Sequence, residues 1–156
     1  MQPLHDLSIT RRIDAPRPLL WRAWTEPELV KRWFTPRPWT TPVVELDVRA
    51  GGRSRILMRG PNGEEHDNLG VYLEVDPGRR LVFTDAYTEA WVPSNKPFMT
   101  GVVTFADDGG KTRYTATARH WNAEDRATHE QMGFDAGWNA ATDQLEALVR
   151  ELAGRG

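Results

Sequence analysis

The sequence has no cysteine, which excludes disulfides, thiolate nucleophiles and cysteine-ligated metals and suits a reducing compartment. It also has no apolar run approaching the roughly 20 residues that cross a bilayer, so no membrane partner is expected. The opening residues Met1-Gln2-Pro3-Leu4-His5-Asp6 lack the basic and apolar regions of a secretory signal, and the expected location is the cytoplasm. An excess of charge of either sign is missing as well. The 20 Lys and Arg residues face 22 Asp and Glu residues, for a net charge of -2, which argues against nucleic acid as a partner. There is no phosphate-cradling loop, because Gly51-Gly52 and Gly109-Gly110 read as hairpin turns, and no serine sits in a nucleophile-elbow context.

The chain does have seven tryptophans in 156 residues, a length that suits one domain over 1–156 with roughly two-thirds of its unfolded surface buried. Large aromatics of this kind fill cores and line apolar pockets alike. Near the end, Phe134, Trp138, Ala141, Leu145, Leu148 and Leu152 recur at alternating steps of four and three residues, an apolar stripe on one long helix. Gly133 and Gly137 within this helix each cost about 1 kcal/mol relative to alanine. Close approach of the helix backbone to a strand would offset them.

The preceding chain reads as strands and turns. Leu7–Ile13 alternates apolar and polar residues as a first strand. Asp14 then caps a helix that presents Leu19, Leu20, Ala23 and Trp24 on one face. Thr25, Pro27 and Glu28 read as the capping box of a second short helix ending at Trp33. Pro36, Pro38 and Pro42 defer the next strand to Val43–Val48. Strands follow at Arg53–Arg59, about Glu65–Val75 and Leu81–Ala86, with Asn62-Gly63 as the strongest hairpin signal. Tyr87–Pro97 reads as a rim or lid loop, Phe98–Phe105 and Thr112–Trp121 as strands, and Asn122 as the cap of the final helix. Strand, two helices, six-strand meander and long helix together predict an α+β fold whose curved sheet grips the last helix.

Ile13-Asp14-Ala15-Pro16, Leu20-Trp21-Arg22-Ala23-Trp24-Thr25-Glu26-Pro27-Glu28-Leu29 and Arg32-Trp33 resemble the START-like, or polyketide-cyclase-like (SRPBCC), superfamily. Asp47–Gly52, Met58–Gly63, Arg80–Thr84 and Gly137-Trp138 with Leu145 resemble, in order and spacing, its branch of heat-shock-protein-90 ATPase activator homologues. The resemblance runs from about Leu7 to Leu152 and implies a helix-grip fold whose cavity holds hydrophobic or amphipathic molecules in many relatives. The same scaffold carries lipid carriers, receptors, cyclases, hydrolases and co-chaperones, so it does not select an activity. Asp85 and Ser54 stand where many members of the branch have aromatics, which implies a larger and more polar cavity here.

Strand parity places Ser54, Ile56 and Met58 on the face toward the helix, with Arg53, Arg55 and Arg59 toward water. Phe83 and Asp85 share one inward face, and Tyr114 and His120 another. The helical stripe run backwards from Phe134 and Trp138 reaches Glu130, so Asp85, Glu130 and His120 form a candidate cluster of proton-moving groups. Trp91 is a candidate lid residue, while Trp33 and Trp39 lie near loops that could close over a pocket. Stepping 100° per residue turns His129 away from the Phe134–Trp138 face, so His120, Asp125 and His129 do not converge and neither a metal nor another cofactor is expected. The expected function is binding of a small apolar or aromatic molecule between sheet and C-terminal helix, against Ser54, Ile56, Met58, Phe83, Trp91, Tyr114, Phe134 and Trp138, with Asp85 and Glu130 orienting its polar end. The alternatives are a cyclase- or hydrolase-like enzyme using those carboxylates, and a co-chaperone-like interaction module. A homodimer remains open.

Overall fold

Alternating side chains build strands and the 3.6-residue stripes build helices, in the predicted order as far as the fifth strand and with two departures after it. The computed structural model describes residues 4–155. They form β1 (His5–Ile13), α1 (Arg17–Thr25), α2 (Pro27–Trp33), β2 (Thr40–Leu46), β3 (Arg53–Arg59), β4 (Glu65–Asp76), β5 (Arg80–Thr84), β6 (Tyr87–Glu89), β7 (Val92–Pro93), β8 (Met99–Asp108), β9 (Lys111–His120), α3 (Ala123–Gln131) and α4 (Phe134–Arg155). Seven strands pair antiparallel in the order β1-β9-β8-β5-β4-β3-β2, and β6 and β7 form a separate ribbon. This is the helix-grip α+β fold.

On the helix-facing side of the sheet, Tyr114, Ala116 and Ala118 of β9 join Ile9, Leu81, Val103 and Phe105 in one core with Leu20, Leu145, Leu148 and Val149. α4 packs against α1 and α2 and alongside β1. Polar groups fix its position: Arg11 on β1 donates to Asp143 at 2.6 Å and to the Asn139 carbonyl at 3.0 Å. Gln144 Nε2 donates to the Trp33 and Thr35 carbonyls, each at 2.9 Å. The opposite face of β3 is a solvated charge row, with Arg55 on Glu45 and Asp67 and Arg59 on Glu65.

Several local expectations need correction. Asp14 and Thr25 do not cap helices: the caps are Pro16 and Glu26, neither with a side-chain bond, and the Thr25 hydroxyl donates back to the Trp21 carbonyl at 2.7 Å. β2 begins at Thr40 and takes in Pro42, which an edge strand with a bulge between Thr40 and Val43 can absorb. The segment expected to be one loop from Tyr87 contains the β6–β7 ribbon.

The final helix is two helices. α3, capped by the Asn122 side chain at the Asp125 N–H, ends at Gln131, and Gly133 at φ +94° turns the chain before α4 begins. No L side chain sits easily at that angle, so the glycine serves the turn rather than a close packing contact. Gly137 is helical, and a Cβ there would meet nothing within 4 Å, so the strand contact expected at it is not made. The close approach occurs on β8 instead, where a Cβ on Gly101 would fall into the Phe83 ring.

Candidate functional site

The inner faces of β2 to β5 curve away from α1 and α2 and leave a cavity walled by Trp24, Val30, Phe34, Leu46, Ser54, Ile56, Tyr72, Leu81 and Phe83. Each strand contributes by parity: Leu46 lies opposite Ser54, Ser54 opposite Gly70, and Tyr72 opposite Phe83. The lining is apolar except for two hydroxyls. Tyr72 interacts with Ser54, and burial drives its phenol well above the usual range, so both hydroxyls are neutral hydrogen-bonding groups. The cavity is small, about 30 Å³, room for a water molecule but not for an aromatic ring. Trp24 fills much of the space, edge-on to Trp33 at 5.0 Å and tilted on Phe83 at 5.8 Å, and its indole donates to the Tyr114 hydroxyl at 3.2 Å. A wider groove of about 580 Å³ beside α2 is lined by Lys31, Arg37, Trp39 and Gln144, among others, and is open to solvent.

Three of the expected lining residues, Ser54, Ile56 and Phe83, wall this cavity. Tyr114 is buried in the core beneath it. Met58 lies farther along β3 and outside the lining. Trp91 is 66% exposed and packs edge-on to Tyr87, so it covers no pocket. Trp33 is core, with its indole donating to the Ala23 carbonyl at 2.8 Å, and Trp39 stacks on His66. The enlargement expected from Ser54 and Asp85 is not realised, because the rings of Trp24, Phe34 and Phe83 occupy the space and Asp85 lies outside the lining.

Asp85, Glu130 and His120 do not form one cluster. Glu130 sits on α3 before the Gly133 turn, its side chain 63% exposed and 3.9 Å from Arg126, because the stripe cannot be extrapolated through a residue at positive φ. Asp85 Oδ1 accepts from the Phe98 and Met99 N–H groups at 2.8 and 3.1 Å, tying the end of β5 to the start of β8. Burial pushes its carboxyl above the ordinary range, against the lowering effect of these two donors.

The same turn brings His129 where the helical projection excluded it. Its ring lies 5.1 Å from Phe134 and 6.0 Å from Trp138, on the face the α4 stripe presents there. His129 Nδ1 is 2.8 Å from Nε2 of the buried His120, whose Nδ1 is 2.8 Å from the His5 carbonyl. Desolvation, with the neighbouring His120 adding to it, brings His129 down to about 4. Phe134 and Trp138, expected to line the ligand cavity, form this second aromatic group with Phe98 instead.

Residues 14–150 match the model of the family described as activator of Hsp90 ATPase homolog 1-like protein. The chain belongs to this family. Among solved structures, protein NE0264 from Nitrosomonas europaea is 38% identical over 96% of each chain, with a TM-score of 0.92. Protein Ms6760 from Mycobacterium smegmatis is 28% identical over 95% of this chain and 96% of its own, with a TM-score of 0.79. An AHSA1-like protein from Aeromonas hydrophila is 26% identical over 96% and 94%, with a TM-score of 0.72. No curated protein matches the chain. Family membership carries the START-like helix grip with it, and leaves the choice of ligand or protein partner to the site.

Trp24, Val30, Phe34, Leu46, Tyr72 and Leu81 were not among the residues expected in the site. Tyr72 was legible only with the bulge between Tyr72 and Glu74, which changes the parity of β4 midway. Trp24 carried an apolar-face signal that serves core and cavity equally.

Proposed function

We propose that this protein binds a small apolar or aromatic molecule in the cavity beneath α1 and α2, with the Ser54 and Tyr72 hydroxyls orienting any polar end. The observation that carries this reading is the pair of interacting hydroxyls in an otherwise apolar wall, the arrangement by which small-molecule sites combine affinity with orientation. An apolar cavity of ~150 Å³ holds benzene, so a ring must turn aside before an aromatic ligand enters. Phe83 is suited to do so, being half-buried with only Gly101 beneath its ring. A catalytic reading has less support: Glu130 stands in water and the Asp85 carboxylate is engaged by two backbone donors. The test is calorimetric titration with naphthalene of wild type and Ile56→Trp, whose indole would fill the cavity. Binding by wild type and its loss in the folded variant are expected, and equal affinity in the two would refute the site.

A protein-interaction role has one observation in its favour, the exposure of Trp91, Val92, Trp121 and Met132 at 66, 47, 48 and 71%. Stimulation of an Hsp90-type ATPase by wild type, lost in Trp91→Ala and Trp121→Ala, would support this role over ligand binding.

A further inference from the structure

Successive residues of α2 serve two different spaces. Val30 and Phe34, one helical turn apart, wall the small apolar cavity, whereas Lys31 and Thr35, also one turn apart, line the solvent-open groove of about 580 Å³. The rest of that groove comes from the 37–41 segment and from Gln144 of α4. Hydrogen bonds hold this wall in place. Gln144 Nε2 donates to the Trp33 and Thr35 carbonyls at 2.9 Å each, and its Oε1 accepts from the Arg37 N–H at 3.1 Å, so one side chain ties the chain leaving α2 to α4. The Thr35 and Thr41 hydroxyls, 2.6 Å apart, fasten the same connection to β2.

A count of hydrogens shows what the groove lacks. Two hydroxyls joined by one hydrogen bond carry a second hydrogen between them. Thr35 and Thr41 are only 6 and 4% exposed, and no acceptor among the described residues takes that second hydrogen. A buried donor left in this way calls for an acceptor from outside the chain. The Arg37 guanidinium also has no acceptor among the described residues. Lys31 spends one of its three N–H groups on the exposed Glu28, at 3.1 Å, and Arg32 is paired with Glu151. Among the described residues no Asp or Glu lines the groove, and the Gln144 amide oxygen is already engaged. On a chain of net charge -2, this one groove offers cations and donors without acceptors.

We propose that the groove binds a phosphate monoester. Arg37 and Lys31 hold the phosphoryl oxygens, the Thr35–Thr41 pair gives its spare hydrogen to the same group, and the organic part lies along Pro38 and Trp39. A phosphoryl group brings three acceptor oxygens and a charge of about -1.5 to -2 at pH 7, which matches two cations and a hydroxyl. A carboxylate brings two oxygens and a single charge to the same donors. The groove's volume lies within the ~300–1,000 Å³ of small-molecule sites, more than inorganic phosphate alone would occupy.

The experiment titrates phenyl phosphate and inorganic phosphate into the protein, followed by calorimetry and by ¹H–¹⁵N backbone spectra. In wild type, phenyl phosphate should bind and shift the amides of Thr35, Arg37 and Thr41, and inorganic phosphate, which lacks the organic part, should bind more weakly. Arg37→Gln alters an exposed side chain and keeps the backbone bond to Gln144, so it should fold as wild type. It should bind phenyl phosphate about tenfold or more weakly, the worth of a charge-assisted hydrogen bond. Arg113→Gln removes the same charge from an exposed position on β9 and should bind as wild type. Ile56→Trp should also leave phenyl phosphate binding unchanged, which separates this groove from the cavity. No binding by wild type, amide shifts confined to other segments, or equal losses in the two arginine variants would overturn the proposal. Inorganic phosphate binding as tightly as phenyl phosphate would overturn the assignment to an ester.

Discussion

Phe83→Ala tests how ring packing controls access to the cavity. The Phe83 ring is half-buried, tilted on Trp24 at 5.8 Å, and lies over Gly101 so closely that no side chain fits beneath it. Truncating a fully buried phenylalanine costs about 3–5 kcal/mol, and partial exposure brings the expectation here to about 2–3 kcal/mol on the same scale. For a chain of this size that is a fall in Tm of about 4–12 °C. Ligand binding should move the other way. In wild type the ring must leave Trp24 before an aromatic molecule enters, forfeiting an aromatic contact worth about 0.5–1.5 kcal/mol. The variant is spared this, so naphthalene should bind about fivefold more tightly. Thermal denaturation by circular dichroism and calorimetric titration read the two quantities independently. Gly101→Ala is the complementary perturbation: its methyl displaces the ring from below toward the cavity, so stability and affinity should both fall. If Phe83→Ala melts with wild type and binds no more tightly, the ring does not hold the cavity closed and the reasoning fails.

The two glycines near the α3–α4 turn should respond in opposite directions. Gly133→Ala forces an L residue to φ +94° and should destabilise by about 1–2 kcal/mol. Gly137→Ala, helical with open space at its Cβ, should stabilise by about 0.4–1 kcal/mol in the same urea titration. Asp85→Asn keeps an oxygen for the Phe98 and Met99 N–H groups and removes a desolvated charge. Because the folded carboxyl is raised above its ordinary 3.8, the folded state holds the proton more tightly, and wild type loses stability as pH rises from that value through the raised one. The variant should therefore melt at or above wild type at neutral pH, with the difference in its favour diminishing toward acid; a variant clearly less stable at pH 7 would contradict this.

Local chemistry was enough to determine the order of β1, α1, α2 and the other strands of the main sheet, the inward parity of Ser54, Ile56, Phe83 and His120, and the single apolar face of α4, though not the β6–β7 ribbon or the break between α3 and α4. Period-two and period-3.6 patterns and turn residues act over a few positions, and the sequence shows them directly. The same locality explains the misplacement of Glu130 and His129, since a helical projection holds only while every residue stays helical and Gly133 does not. What only the tertiary structure decided was which distant groups meet. Gln144 reaches the Trp33 and Thr35 carbonyls, Asp85 takes the Phe98 and Met99 N–H groups, and His129 finds His120 across the α3 turn. The cavity's size was decided in the same way, by the close fit of Phe83 on Gly101 and of Trp24 on Phe83 and Tyr114. Interiors pack to the density of crystals, so whether a cavity stays open depends on tenths of an ångström between residues far apart in the chain, and no local pattern encodes such distances.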